Sequence, residues 1–341
     1  MGLCNFCAAL VVYLEYMRRV VGVLRGGPSS EYEVSLKSGA SVLESLNTEL
    51  FEPRDIFISR GGDWHLHGVA MTPERALRGV DVAFNVVHGE YGEDGQIQRI
   101  LEAIGVPYSG SDAFTSAVAF NKHSTKELVS KVGVQVAHGV LVDERDNIDE
   151  VAFNLFRTFP HPAIVKPVIG GSSVGVTIAD SLDALTEGLK KAFTIAPKAI
   201  VEEFIKGKEA TVGVIDNFRG EKTYALLPVE IIPPKKHGFF SYDAKYGGET
   251  IERVPGNFTP AEKNTLAAAA KLVHESLGLA HYSRSDFIVA KRGIYFLEVN
   301  SAAACGLTKE SLFPKALRAV GSNLTEFLDH VVDLAHTHKR G

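Results

Sequence analysis

Two apolar runs, Val20–Leu24 and Val82–Val87, each pass directly into a glycine-bearing loop and then into a helical pattern. A short apolar run without polar alternation reads as a strand covered on both faces, which is what helices crossing over a parallel sheet produce. After the first run, Gly26 and Gly27 turn the chain, and Ser30-x-x-Glu33 has capping-box spacing, which predicts a helix through Val42 and Leu46. After the second, the loop His88 to Gly95 leads into a helix over Gln96 to Ile104. This alternation predicts an α/β domain with a parallel sheet, whose ligands sit at the carboxyl ends of the strands, where both loops fall.

Past helices predicted near Ala113–Val132 and Asp149–Thr158, the pattern changes. Ala163–Pro167 and Gly175–Ile178 flank the loop Val168–Val174, and Ala199–Phe204 and Ala210–Ile215 flank Lys206–Lys208. These read as antiparallel pairs of an α+β domain. A third block holds Thr259-Pro260-x-Glu262, a capped helix start with proline at the first helical position, then an Ala-rich helix to Leu277 and a last helix Leu324–His336. At 341 residues the chain exceeds one hydrophobic core, since such cores stop growing near about 250 to 300 residues. The expected division is an extension over 1–18, an α/β domain over 19–112, and two α+β subdomains over 113–201 and 202–341.

A net charge of -5 with no run of like charges gives no reason to expect nucleic acid or anionic lipid as a partner, so small molecules are expected instead. Three sparse cysteines, Cys4, Cys7 and Cys305, suit a reducing compartment and predict a cytoplasmic protein. Cys4-x-x-Cys7 lacks the second ligand pair that a zinc site needs. The run Cys7–Leu14 is too short to span a bilayer and lacks the basic segment of a secretory signal. Met17, ahead of Arg18 and Arg19, is the expected natural start.

The segment Arg284-x-Asp286 through Glu298-x-Asn300 reads as a β-hairpin turning at Lys291 to Gly293. A turn centred on Arg292 sets Asp286 opposite Glu298 and Arg284 opposite Asn300, and the two-residue period puts all four on one face. Facing carboxylates repel unless a cation lies between them, and hard oxygen donors of this kind suit Mg²⁺ bridging phosphate oxygens. Gly170-Gly171-Ser172-Ser173-Val174-Gly175 can aim successive N–H groups at a phosphate, with Lys166 supplying charge. No G-x-x-x-x-G-K-[ST] occurs, which disfavours a P-loop NTPase. Tyr242 to Tyr246 sits in the Gly- and Pro-rich stretch Pro233–Gly248, a long irregular segment that reads either as a functional loop carrying Lys245 or as disorder.

In this order, six motifs resemble the D-alanine:D-alanine ligase family of the ATP-grasp fold over nearly the whole chain. They are Gly26-Gly27-x-Ser29-x-Glu31-x-Glu33-Val34-Ser35-Leu36, His88-Gly89-x-x-Gly92-Glu93-Asp94-Gly95, Lys166-Pro167 with Gly171-Ser172-Ser173-Val174-Gly175, Tyr242-x-Ala244-Lys245-Tyr246, Arg284-x-Asp286 and Glu298-x-Asn300. The resemblance implies an ATP-dependent ligase that joins two D-alanines through an acyl phosphate, for peptidoglycan precursor synthesis, and is commonly a homodimer. It implies that Lys122, Lys166, Lys245 and Ser173 hold the ATP phosphates, with Glu202 near the adenine and Glu209 at the ribose. Asp286, Glu298 and Asn300 would hold Mg²⁺, with Mn²⁺ as an alternative ion. Glu31, networked with Ser172 and Tyr246, would take the first D-alanine's ammonium, with His88 beside its carboxylate. Arg284 and the Gly306 N–H would serve the oxyanion, and Ser311 with Leu312 would receive the second substrate's carboxylate.

The chain departs from the family after Asn300, where the usual T-x-P-G-M-T is replaced by Ser301-Ala302-Ala303-Ala304-Cys305-Gly306-Leu307-Thr308. Gly170 also stands where an acidic residue is common. The altered loop keeps two other readings open: an ATP-grasp ligase with another second substrate such as D-serine, and a nucleotide-binding protein without turnover. Tyr246, where ligases using D-lactate often carry phenylalanine, favours an amine nucleophile. Cys305 has no partner pattern for a nucleophile and reads as a small buried residue.

Overall fold

The computed structural model describes residues 18–171, 173–233 and 250–337. Ser172, Lys245 and Tyr246, the loop Tyr242–Gly248, and Cys4, Cys7 and Met17 fall outside those residues. Among the described residues, no helix is long and apolar enough to cross a membrane.

The first sheet has β1 (Arg19–Gly26) between β2 (Phe51–Ile58) and β5 (Val82–Asn85), both parallel to it. β3 (Trp64–Leu66) and β4 (Val69–Met71) extend the β2 edge in antiparallel sense, so the sheet is mixed where the sequence predicted parallel strands only. The connections at 59–63 and 67–68 are too short for a crossover, which leaves antiparallel return as the only course. The helix Gln96–Ile104 forms over the predicted residues, whereas the first helix, Tyr32–Ser45, does not begin on the predicted capping box. Its N-cap is Glu31, and no side chain caps it. The neighbouring serines instead join the two glycine loops: Ser29 Oγ donates to the His88 carbonyl at 2.5 Å, and Ser35 Oγ donates to that of Val86 at 2.7 Å.

The second sheet is antiparallel throughout, in the order β6 (Gly139–Asp143), β9 (Lys198–Glu203), β7 (Ala163–Pro167), β8 (Thr177–Ala179). The helices Ile148–Thr158 and Leu182–Phe193 bury their apolar sides in its core, around Val165, Leu185, Leu189 and Val201. The third sheet is built on β10 (Lys208–Phe218), which pairs with β11 (Glu221–Ala225), β12 (Val229–Ile232) and β14 (Tyr282–Ala290). β13 (Ile251–Arg253) and β15 (Gly293–Ser301) lie at its edges. The sequence had paired 199–204 with 210–215 as a hairpin, and the structure corrects this: β9 and β10 belong to different sheets. Gly207 lies against β14, where a Cβ would come within 2.4 Å of the Val289 carbonyl oxygen, so the link hands the chain from one sheet to the other.

The first and third sheets share one core. Val23, Phe51 and Phe84 from one end of the chain pack in the same cluster as Tyr282, Phe313 and Phe327 from the other. The helix Pro260–Ser276 covers the opposite face of the third sheet through Leu266, Ala270 and Val273. It begins with the predicted capping box, with Thr259 Oγ1 accepting from Glu262 N at 3.2 Å and Glu262 accepting from Thr259 N at 2.7 Å. Thr259→Ala is expected to cost about 1 kcal/mol in urea denaturation.

Candidate active site

The hairpin β14–β15 carries the centre of the site. Arg284 stands opposite Asn300 and Asp286 opposite Glu298, as predicted, although the turn is Lys291–Arg292 rather than centred on Arg292. Ala290 pairs with Gly293 and Phe287 with Phe296; a bulge between Asp286 and Phe287 then shifts the register by one residue. That extra residue brings the two carboxylates opposite each other. The four side chains share a half-buried face, while Ser283, Ser285 and Phe287 point into the core.

Asp286 is held from several directions. It accepts from Arg284 Nε and Nη2, both at 3.3 Å, from Asn300 Nδ2 at 3.0 Å and from Thr211 Oγ1 at 2.5 Å. Burial works against the Arg284 charge, but Asp286 and Glu298 outweigh it, so the guanidinium holds its proton more firmly than usual. Lys122 follows the N-cap Asn121 at the start of the helix Lys122–Lys131. Its Nζ lies 3.5 Å from Glu298 Oε2 and also donates to the Gly170 carbonyl, linking the glycine loop to the hairpin. Lys166, next to last in β7, pairs with Glu202 of β9 at 2.9 Å. Burial alone would raise the Glu202 carboxyl, yet Lys126 and Lys166 hold it down to about 2.

Glu31 lies between the two other loops: a Cβ at Gly171 would stand 2.8 Å from its Oε2, and one at Gly89 would stand 3.3 Å away. His88 is buried behind it, with Nε2 3.0 Å from Ser38 Oγ. Burial lowers the His88 value, Glu31 pulls it up and Arg284 lowers it further, so a neutral imidazole lies beside both groups. Gly92 is required in this loop, because a Cβ there would come 1.8 Å from the Val87 carbonyl oxygen.

Gly306 has φ +55, and a Cβ on it would meet Ser311 Oγ at 3.1 Å. Ser311 is the N-cap of the helix Leu312–Ala319, with Oγ 2.8 Å from Thr308 Oγ1, and Leu312 packs against the shared core. The departing loop forms a 3₁₀ turn, Ala302–Ala304, with Ala302 and Ala303 buried. Cys305 is fully buried and burial pushes its thiol up, as expected of a small core residue. Glu209 lies on β10 between Ile231 and Ile288, and Ser173 sits at φ +58 in the glycine loop. The structure therefore brings Glu31, His88, Lys122, Gly170, Arg284, Asp286, Glu298 and Asn300 together, with Lys166 and Glu202 alongside. A surface hollow of about 860 Å³ along β2 and β3, lined by Arg25, Arg54 and His65, contains none of the predicted residues.

Three contributors carry no sequence assignment: Thr211, Lys126 and Glu93. Glu93 is buried in the cleft with Lys122, Glu298 and Asn300, and its Oε1 accepts from Gly89 N at 2.6 Å. Burial, reinforced by Glu31, pushes its carboxyl up to about 8. The folded protein thus binds this proton more tightly than the unfolded chain, so stability declines as pH rises from about 4.5 to about 8. Glu93→Gln is expected to leave the melting temperature nearly unchanged at pH 5 and to raise it at pH 9, measured with a chelator present.

An α/β unit and two α+β sheets that close on a cleft of lysines and carboxylates form the ATP-grasp architecture of an ATP-dependent ligase. Comparison with known sequences gives the family: the D-ala D-ala ligase N-terminus matches residues 20–76 and 67–111, and the D-ala D-ala ligase C-terminus matches 128–333. The chain belongs to the D-alanine–D-alanine ligase family. The D-alanine–D-alanine ligase of Geobacter sulfurreducens is 36% identical over 325 residues, covering 94% of this chain and 95% of that one. That of Syntrophobacter fumaroxidans is 35% identical over 319 residues, covering 92% and 97%. Among solved structures, the VanG D-Ala:D-Ser ligase from Enterococcus faecalis superposes with a TM-score of 0.81 at 29% identity, covering 94% of this chain and all of that one. The Coxiella burnetii D-alanine–D-alanine ligase, at 0.80 and 24% identity, shares the fold over 94% of each chain.

Proposed function

We propose that the chain uses ATP and Mg²⁺ to join two D-alanines into D-alanyl-D-alanine, for peptidoglycan precursor synthesis, as a cytoplasmic homodimer. The observation that carries this reading is the single hairpin face on which Arg284, Asp286, Glu298 and Asn300 converge, with Lys122 bridging it to the glycine loop. Among the described residues, no three His, Cys, Asp or Glu side chains gather into a metal cage. Two carboxylates and an amide are a donor set suited to Mg²⁺, an ion that keeps waters and phosphate oxygens in its shell. Asp286, Glu298 and Asn300 would hold it, and when bound it would neutralise charge on the transferring phosphoryl group.

Lys122 and Lys166 supply positive charge where the phosphates would lie, with Ser173, the glycine-loop amides and Lys245 assigned to the same task. Glu209 takes the ribose end of the nucleotide, and Glu202, its carboxylate paired with Lys126 and Lys166, lies near the adenine end. Glu31, with Ser172 and Tyr246, would hold the first D-alanine's ammonium, and the neutral His88 would lie beside its carboxylate, which accepts the γ-phosphoryl group. Arg284 and the Gly306 amide stabilise the oxyanion formed when the second amine attacks, while Ser311 and the Leu312 amide receive the second carboxylate.

Phosphate release with ATP, Mg²⁺ and D-alanine alone, with dipeptide identified by mass, tests the proposal. Silence with D-alanine but turnover when D-serine is added would replace the second substrate, and silence with every pair would leave a nucleotide-binding protein.

A further inference from the structure

Lys126, on the helix Lys122–Lys131, is buried and has no part in the proposed reaction. It stands one turn beyond Lys122, on the same side of the helix. Its Nζ bonds to Glu202 Oε1, while the other oxygen of the same carboxylate lies 2.9 Å from Lys166 Nζ. Glu202 is itself fixed in the middle of the second sheet, paired with Gly139 of β6 and Ile164 of β7. Two buried ammonium groups thus share one buried carboxylate, an arrangement short of one negative charge.

The charged groups that act on Lys126 are Glu202 on β9 and Lys166 on β7, and Lys166 in turn feels Glu298 across the cleft. Burial, opposed by Glu202 and aided by Lys166, pushes the Lys126 ammonium down to about 7, whereas Lys166 keeps its proton against burial through Glu202 and Glu298. A buried cluster with an excess charge is stabilised by a counter-ion brought to it, and a nucleotide polyphosphate is such an ion.

We infer that Lys126 is a positioning residue of the nucleotide site: by engaging half of Glu202 it prevents that carboxylate from cancelling Lys166, so that the triad presents one net positive charge to the phosphates. The inference rests on the ATP-site reading above. Without Lys126, Glu202 and Lys166 form a closed pair of zero net charge. Without both Lys126 and Glu202, Lys166 stands alone and the net charge is again positive.

Calorimetric titration of the full chain with ATP and with adenosine at pH 6.5 tests this. Lys126→Met and Lys126→Gln are expected to weaken ATP by about ten- to a hundredfold and to leave adenosine unchanged. Lys126→Arg is expected to keep ATP affinity within about threefold. The double variant Lys126→Met, Glu202→Gln is expected to regain most of the ATP affinity that Lys126→Met loses, relative to adenosine. A merely structural lysine would give the opposite pattern, with both ligands weakened together and the double variant worse than either single one. Wild-type ATP affinity in Lys126→Gln, or failure of the double variant to recover, would overturn the inference while leaving the ATP-site reading in place. Wild-type protein that bound no ATP would overturn both.

Discussion

Asp286→Asn is expected to lower D-alanine-dependent phosphate release by about 10³-fold at saturating ATP and Mg²⁺, a loss of the size seen when a preorganised charge at a reacting group is removed. The substitution is nearly isosteric, so the Thr211 hydroxyl keeps an acceptor and the hairpin keeps its register. Its effect on folding is the balance of two opposed terms. Removing one of two carboxylates that face each other across the ladder relieves repulsion, while Arg284 loses its nearest counter-charge but retains Glu298. The net change in stability is expected to stay within about 2 kcal/mol, measured by urea denaturation. If stability fell in step with activity, Asp286 would be a structural residue and the metal assignment would be lost with it.

Arg284→Met is expected to reduce kcat by about 10²- to 10³-fold while leaving the affinity for ATP close to that of the wild type. Its guanidinium is half-buried, bonded through two nitrogens to Asp286, and strong enough in field to help keep His88 neutral. A group placed this way acts on charge that develops in the transition state rather than on the ground-state nucleotide. Arg284→Lys is expected to restore little, because an ammonium cannot both pair with Asp286 and reach the oxyanion from one fork. Steady-state kinetics with ATP and D-alanine varied separately would decide it, and a raised KM for ATP with kcat unchanged would move Arg284 to nucleotide binding instead.

The face of the hairpin was legible because strand periodicity and a glycine-bounded turn are both local signals, and Arg284, Asp286, Glu298 and Asn300 lie only a few residues from that turn. The bulge after Asp286 left no such trace, and the predicted pairing survived because the displaced turn and the extra residue offset each other. The supposed hairpin at 199–215 failed for a related reason. Two apolar runs around a short polar link look the same whether the strands pair or part, and the close approach of Gly207 to Val289 comes from a strand that arrives about 80 residues later. Ser30 and Glu33 had capping-box spacing, but Glu31 takes the N-cap and the serines around it bond to the His88 loop. Lys126 was visible in principle, since its four-residue offset from Lys122 puts both on one side of a helix. Glu93 sat within a quoted motif without a role. What made both significant was burial, which a sequence does not print.

The core shared by the first and third sheets bears on how the molecule holds and loses its structure. Residues from Val21 to Phe84 and from Ile215 to Ala335 bury one another, while the four-stranded sheet between them keeps its own interior. The two ends of the chain are therefore one cooperative unit interrupted by a second, a discontinuous foldon with an insert. Synthesis from the ribosome delivers the halves of that unit far apart in time. Phe51 and Phe84 can pack on Val42 and Leu46 early, but the core they share is complete only once Phe313 and Phe327 have emerged, so full native hydrogen-exchange protection of β1 and β5 arises only when translation is nearly complete.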